Sequence, residues 1–275
     1  MRAITEIRED IASCDKELAR LLARRMDCIG EIIDYKKLHG MPILQPEQEA
    51  RQRKLWEGIL DGNPYEEEQL EVFECILQMS KKVQAKALFA QNIALIGFMG
   101  AGKSTVSHCL KDMLAMEEVE TDAMIVEAEG MAITDIFAKY GEPYFRNCES
   151  NAIIGLQDRR QVIISCGGGA VMRDENVENL KRSSRIVLLT ATPKTILERV
   201  KDSNERPILN GHMNVEYIAE LMEKRRKKYE EAADIVIATD GKTVIEICEE
   251  LVQKWNEMEG GQEGNGVITE ASMEK

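Results

Sequence analysis

The chain has 275 residues, enough for one large or two ordinary domains, and 44% of them are hydrophobic, which is ample for sizeable cores. Its net charge of −13 comes from 14 basic against 17 acidic residues in 1–90 and 22 against 32 beyond, so neither part is a polyanion-binding surface and nucleic acid is not an expected partner. Seven cysteines without a C-x-x-C pair, a start without an apolar signal core, three distant histidines (His39, His108, His212) and no membrane-length apolar run argue for a reduced cytoplasm, no zinc site and no membrane span.

From Ile4, spacings of three and four residues run through Ile7, Ile11, Cys14, Leu18, Leu21, Arg25, Cys28 and Ile32. They predict one helix of about 35 residues, roughly 50 Å long at about 1.5 Å per residue. That is more than a lone 90-residue unit can cover, so a second copy of the chain is expected along it, giving a homodimer through residues 1–90. Arg25 falls on the apolar seam and calls for an anionic partner there. A second helix is predicted from near Pro46 to before Asp61-Gly62-Asn63-Pro64. The third runs from about Glu66 to Ala90, with Leu70, Phe73, Leu77, Ser80, Gln84 and Ala87 on its seam. Three helices thus point Arg25, Ser80 and Gln84 inward, a pattern that a satisfied buried polar network fits as well as a ligand site.

Residues 1–90 resemble the all-helical, AroQ-type chorismate mutases, which form intertwined dimers of three-helix chains. The resemblance is carried by I-R-E-D around Arg8, L-L-A-R-R ending at Arg25, Y-K-K containing Lys36, P-I-L-Q-P-E-Q-E ending at Glu49, and M-S-K-K-V-Q with Ser80 and Gln84. It implies that Arg25 and an Arg8 donated by the partner chain hold the two carboxylates of chorismate. Lys36 and Gln84 would face the ether oxygen, Glu49 the ring hydroxyl, and Ser80 a carboxylate. A pericyclic rearrangement to prephenate needs a held conformer and donors aimed at the developing charge, which this set provides. The sequence departs from the family at Gln45, where an Asp is usual, and at Gln48, where an Arg is usual. A second reading therefore stays open, in which residues 1–90 are a non-catalytic dimerisation or chorismate-sensing module.

After the apolar run Ile93 to Ile96 comes G-F-M-G-A-G-K-S-T, from Gly97 to Thr105, followed by the helix-like stretch Val106 to Met116. G-x-x-x-x-G-K-S between a strand and a helix is a phosphate-binding loop. Gly97, Gly100, Ala101, Gly102, Lys103, Ser104 and Thr105 form the predicted ATP site, with Lys103 reaching the outer phosphates and the Ser104 hydroxyl ligating Mg²⁺.

Strand-like runs then alternate with helical patterns. The strands fall around Val119 and at Val162 to Ser165, Arg185 to Thr190 and Asp234 to Thr239; the helices fall near 142–157, 193–200, 214–232 and 243–255. Alternation of this kind predicts a five-stranded parallel sheet covered on both faces, with ligands at the carboxyl ends of the strands. Glu120-Thr121-Asp122 and Cys166-Gly167-Gly168-Gly169-Ala170 fall at such ends. Three glycines allow close backbone approach to a ligand, and a plain tight turn would use them equally. Most of the basic stretch Lys224 to Lys228 is expected to be a solvated helix face, and Cys166 a small buried residue ending a core strand.

Residues 91–256 resemble shikimate kinase through the phosphate loop, E-T-D at 120–122, D-I-F-A-K-Y-G-E-P-Y-F-R-N-C-E from Asp135 to Glu149, G-G-G-A-V from Gly167, N-E-R-P-I-L around Arg206, and E-K-R-R-K-K-Y around Arg225. The resemblance implies Asp122 on the shikimate hydroxyls, where it could take a proton, and Arg146 and Arg225 on the carboxylate. Gly167, Gly168 and Gly169 would line the ring, Arg199 would lie near the adenine, and Arg206 would sit in a lid of about 201–213. Glu120 stands where the family's Asp usually holds Mg²⁺ through a water. The expectation is a cytoplasmic bifunctional enzyme of aromatic amino-acid biosynthesis, with ATP, shikimate and chorismate as substrates and Mg²⁺ as cofactor. Residues 257–275, Gly- and Glu-rich without periodicity, read as a disordered tail.

Overall fold

The computed structural model describes residues 2–39, 46–201 and 214–263. The chain divides into two compact units, Met1–Leu88 and Phe89–Lys275. Phe89 and Ala90, expected at the end of the helical unit, belong to the second one. The reason is Phe89, which is fully buried with its ring 4.9 Å from that of Trp255.

The first unit contains α1 (Ile4–His39), α2 (Pro46–Leu60) and α3 (Glu66–Leu88). Pro46 opens α2 where its missing N–H costs nothing, and three glutamates, Glu66 to Glu68, face the positive end of α3. On α3, Phe73, Leu77 and Ser80 are buried as their spacing requires, but the last turn buries Ala85 and Leu88 rather than Ala87. Trp56 of α2 stacks on Phe73 with ring centroids 4.3 Å apart.

The phase of α1 differs from the expected single seam. Ile29, Ile33 and Lys36 turn inward, whereas Ile4, Ile11, Leu18, Leu21 and Ile32 stay exposed, four of these at 56% or more. An ideal helix drifts against a strict seven-residue repeat. The stripe that packs within the chain and the stripe read from the sequence are therefore different faces over the last turns.

In the second unit the strands are β1 (Asn92–Ile96), β2 (Glu117–Glu120), β3 (Val162–Ser165), β4 (Ser184–Thr190) and β5 (Ile235–Ala238). They form one sheet of order β2-β3-β1-β4-β5, parallel at every pairing. β1 and β3 are buried at every residue, as strands covered on both faces must be. On one face Ala94, Ile96, Ile164, Ile186 and Leu188 pack with Ile153, Leu180, Tyr229 and Ala232. These four come from α6 (Ile133–Ile154), α7 (Asp174–Ser183) and α9 (Val215–Ala232). On the other face lie α4 (Lys103–Leu114) and α10 (Val244–Glu263).

Three details depart from expectation. A helix α5 (Thr121–Glu129) and the helix α7 appear where no periodic signal marks them, because each needs only a few anchors, Ile125 in α5 and Leu180 in α7. α6 begins nine residues before Glu142 and breaks at Gly141 (φ 79°, ψ 171°) before resuming over Pro143, which suits the first turn of a new segment. Last, α10 runs on to Glu263, so residues 257–263 of the expected tail are helical. Arg185 holds this turn, pairing with Glu259 at 2.6 Å while its guanidinium lies 5.2 Å from the Trp255 ring centre. The rest of that tail, and the whole lid except Lys201, lie outside the described residues, as do Arg206 and Gln45.

Candidate active sites

At the end of β1 the chain turns sharply at Gly97 (φ 146°), whose Cα faces the carbonyl of Leu189 so closely that no Cβ fits. Gly102 (φ 99°) then leads into α4, and Lys103 is its first residue. The Lys103 ammonium donates to the carbonyls of Gly97 (2.9 Å) and Phe98 (3.2 Å), which holds it over the loop. Ser104 and Thr105 follow, both exposed in the first turn, where free backbone N–H groups and the helix dipole favour an anion. Arg199, on α8 (Pro193–Val200), donates to Gly100 O (3.2 Å) and to Thr239 Oγ1 (2.9 Å), so it links the loop to the end of β5.

At the neighbouring strand ends the three glycines receive side chains from α5, α6 and α9. Gly167 N donates to Thr121 Oγ1 (2.9 Å), and a Cβ on it would stand 2.6 Å from Asp122 Oδ1 and 2.7 Å from Glu149 Oε1. The Tyr229 hydroxyl donates to Gly168 O. The Arg146 guanidinium fills the space beside Gly169, where any Cβ would overlap it. Close packing thus explains Gly167 and Gly169, whereas a Cβ at Gly168 would meet only ordinary contacts, the nearest Met99 N at 3.6 Å.

Arg146 is buried and held from two sides, by Glu149 Oε2 (3.0 Å) and Glu142 Oε1 (2.9 Å). Burial would lower its pKa, but the two carboxylates outweigh that and raise it. Glu149 is fully buried; desolvation pushes its carboxyl pKa up, Arg146 pulls it down, and Asp122 adds to the rise. Arg225 is half-buried 5.8 Å from the ring centre of Phe98. Lys224, Arg226 and Lys227 pair outward with Glu220, Glu223 and Glu231, the solvated face their composition suggested. Cys166 is buried and its thiol pKa is pushed up to about 12 by desolvation, which makes it a poor nucleophile. Glu120 is half-buried at the end of β2.

Glu149 and Tyr229 were not singled out from the sequence. The signal was there, since Arg146 and Glu149 are three apart on one helix, Arg225 and Tyr229 four apart on another, and such pairs share a face.

In the helical unit Arg25, Lys36, Glu49, Ser80 and Gln84 come from all three helices. Arg25 donates to Ser80 Oγ, and Ser80 in turn donates to Ile76 O (2.8 Å). Burial lowers the Arg25 pKa, yet among the described residues no carboxylate lies in ion-pair range of it. The anionic partner expected on the seam is thus not supplied by the described part of this chain. Lys36 is also buried; desolvation lowers its pKa and Glu49 partly offsets this. Gln84 Nε2 reaches Ser80 O at 3.4 Å. Arg8 is exposed on the first turns of α1, apart from this group, and Gln48 is exposed on α2.

A parallel β2-β3-β1-β4-β5 sheet with a phosphate loop after its central strand, and a clamped arginine beside a glycine run at the neighbouring strand ends, defines a small-molecule kinase of the phosphate-loop class. The shikimate kinase family model matches residues 99–256, and the chain belongs to that family. Its curated relatives include the shikimate kinase of Thermodesulfovibrio yellowstonii, 38% identical over 62% of this chain and 99% of the relative. Another is that of Dehalococcoides mccartyi, 41% identical over 61% and 95%. Among solved structures, shikimate kinase from Acinetobacter baumannii in complex with shikimate aligns with TM-score 0.57 and 30% identity, over 66% of this chain and 99% of that one. The chorismate mutase type II model matches residues 7–85.

Proposed function

We propose that the chain is a bifunctional enzyme of aromatic amino-acid biosynthesis, phosphorylating shikimate to shikimate 3-phosphate with ATP and rearranging chorismate to prephenate. The two family matches fall on separate stretches, 99–256 and 7–85, so one match does not account for the other. The observation that carries the kinase reading is Arg146, buried against Gly169 with Asp122 and Glu149 at Gly167.

In this reading the kinase residues span 91–256. A ring carboxylate docks on Arg146 and Arg225, Gly167 to Gly169 form the floor, and Asp122 accepts a hydrogen bond from the attacking hydroxyl and takes its proton. Glu149 sets the orientation of Arg146 from behind. Gly97 to Thr105 cradle the phosphates, Lys103 leaves its loop carbonyls for the outer phosphate oxygens, Arg199 flanks the adenine, and Arg206 contributes from the lid. Ser104 and, through a water, Glu120 would hold Mg²⁺, which would supply positive charge to the phosphates.

The mutase residues would be Arg25, Lys36, Glu49, Ser80 and Gln84 of one chain with Arg8 of a second copy, in a homodimer through residues 1–90. Support comes from the exposed apolar stripe of α1 and from Arg25, a half-buried cation suited to a substrate carboxylate. All seven cysteines are free, which fits a cytoplasmic setting. No described helix is long and apolar enough to cross a membrane.

The reading is tested by following ATP-dependent shikimate phosphorylation and chorismate loss on one purified preparation; absence of either removes that half. Arg146→Ala is expected to raise the shikimate KM far more than the ATP KM, by the equivalent of about 2–3 kcal/mol for a lost charge-assisted pair. Gly169→Ala should act the same way without removing the arginine. The backbone there (φ −109°, ψ −3°) accepts alanine, so only the collision with the guanidinium changes. An unchanged shikimate KM in both variants would take Arg146 out of the substrate site.

A further inference from the structure

Lys81 follows Ser80 on α3, and its side chain is only 16% exposed, unusual for a lysine. Its ammonium lies 2.7 Å from Glu49 Oε2 on α2. The pair stands inside the cluster described above: Ser80 is its chain neighbour, Gln84 lies three residues on along the same helix face, and Glu49 also acts electrostatically on the buried Lys36. A second ion pair between the same two helices, Arg53 with Glu74 at 2.5 Å, sits on the solvated side with 57% and 40% exposure. Joining α2 to α3 therefore does not require a lysine at the inner position.

We propose that Lys81 is a positioning residue of the mutase site, holding the Glu49 carboxylate in place and cancelling its charge in front of a dicarboxylate substrate. The inference rests on the mutase reading. Among the described residues, those named in this cluster within one chain are three cations, Arg25, Lys36 and Lys81, and one anion, Glu49. The net charge is thus two positives toward a dianionic substrate, before Arg8 of a second copy is added. Without Lys81 one remains, and Glu49 becomes a repelling charge beside the site. Gln48 is exposed and uncharged on α2, and the cation that pairs with Glu49 there is Lys81 of α3. Held by Lys81, the Glu49 carboxylate keeps its second oxygen for a hydroxyl donor on the substrate.

The test uses the full chain with Lys81→Met, Lys81→Arg, Glu49→Gln, the double variant Lys81→Met/Glu49→Gln, and Arg53→Met as the solvated control. Steady-state chorismate loss is measured for each, with chorismate binding by calorimetry beside it. Lys81→Met is expected to raise KM and Kd roughly tenfold while changing kcat less, because the lost charge acts mainly on binding. Lys81→Arg should restore most of the affinity. In the Glu49→Gln background the same Lys81→Met change should shift KM by less than about twofold, since no carboxylate is left to neutralise. Arg53→Met should leave KM unchanged.

An unaltered KM in Lys81→Met overturns the proposal, as does an equal loss in the Glu49→Gln background or in Arg53→Met, because a purely structural strut would behave so. If the parent chain binds chorismate without consuming it, the mutase reading fails while calorimetry still decides the role of Lys81. A parent chain that neither binds nor consumes it overturns both.

Discussion

Lys103→Ala is expected to abolish ATP-dependent phosphorylation of shikimate, by roughly 10³-fold or more, while chorismate consumption stays near that of the parent. Lys103 begins α4 directly after Gly102, and its ammonium is already gathered over the carbonyls of Gly97 and Phe98, a few residues from where phosphates would lie. It supplies positive charge to oxygens whose charge spreads during transfer, and no alanine can replace that. The cluster proposed for the mutase draws its residues from α1, α2 and α3, in the other compact unit. Both assays on one folded preparation check this. A joint collapse of the two activities would mean that the two sites are not separate.

The second large effect is a recovery. Arg8→Ala and Arg25→Ala should each remove mutase activity, and heterodimers of the two should regain it. Arg25 lies among the clustered residues, whereas Arg8 lies near the other end of the same long helix, exposed. One chain brings no second guanidinium from there to its own cluster, so the missing one would come from a copy running along the exposed stripe of α1. Random pairing of equal amounts makes half the dimers mixed, and each mixed dimer holds one intact site out of two, so about a quarter of the parent activity should return. Refolding or co-expression is needed to mix intertwined chains. Demonstrated heterodimers without recovery would put Arg8 to work within its own chain. A monomer by light scattering would sink the intertwined dimer.

The sequence already showed the phosphate loop, because its glycines, lysine and serine are consecutive and lie between a strand and a helix that local pattern reveals. The starts of α2 at Pro46 and of α3 at Glu66 were legible for the same reason: proline chemistry and acidic first turns act over three or four residues. β1, β3 and β4 could be read as buried parallel strands because both their faces are apolar.

What needed the folded chain is contact between segments far apart in sequence, which periodicity does not encode. Gly167 and Gly169 gain their meaning only when Asp122, Glu149 and Arg146 arrive from two helices. Lys81, one of two adjacent lysines, stands out from Lys82 only when α2 brings Glu49 to 2.7 Å. The face of α1 that packs at home, Ile33 and Lys36 rather than Ile32, depends on where α3 lies, and the pairing of Glu259 on α10 needs Arg185 from β4. A local pattern records which residues can share a face. Which face is buried, and against what, is decided by the energy of packing one element on another, and that exists only in the tertiary structure.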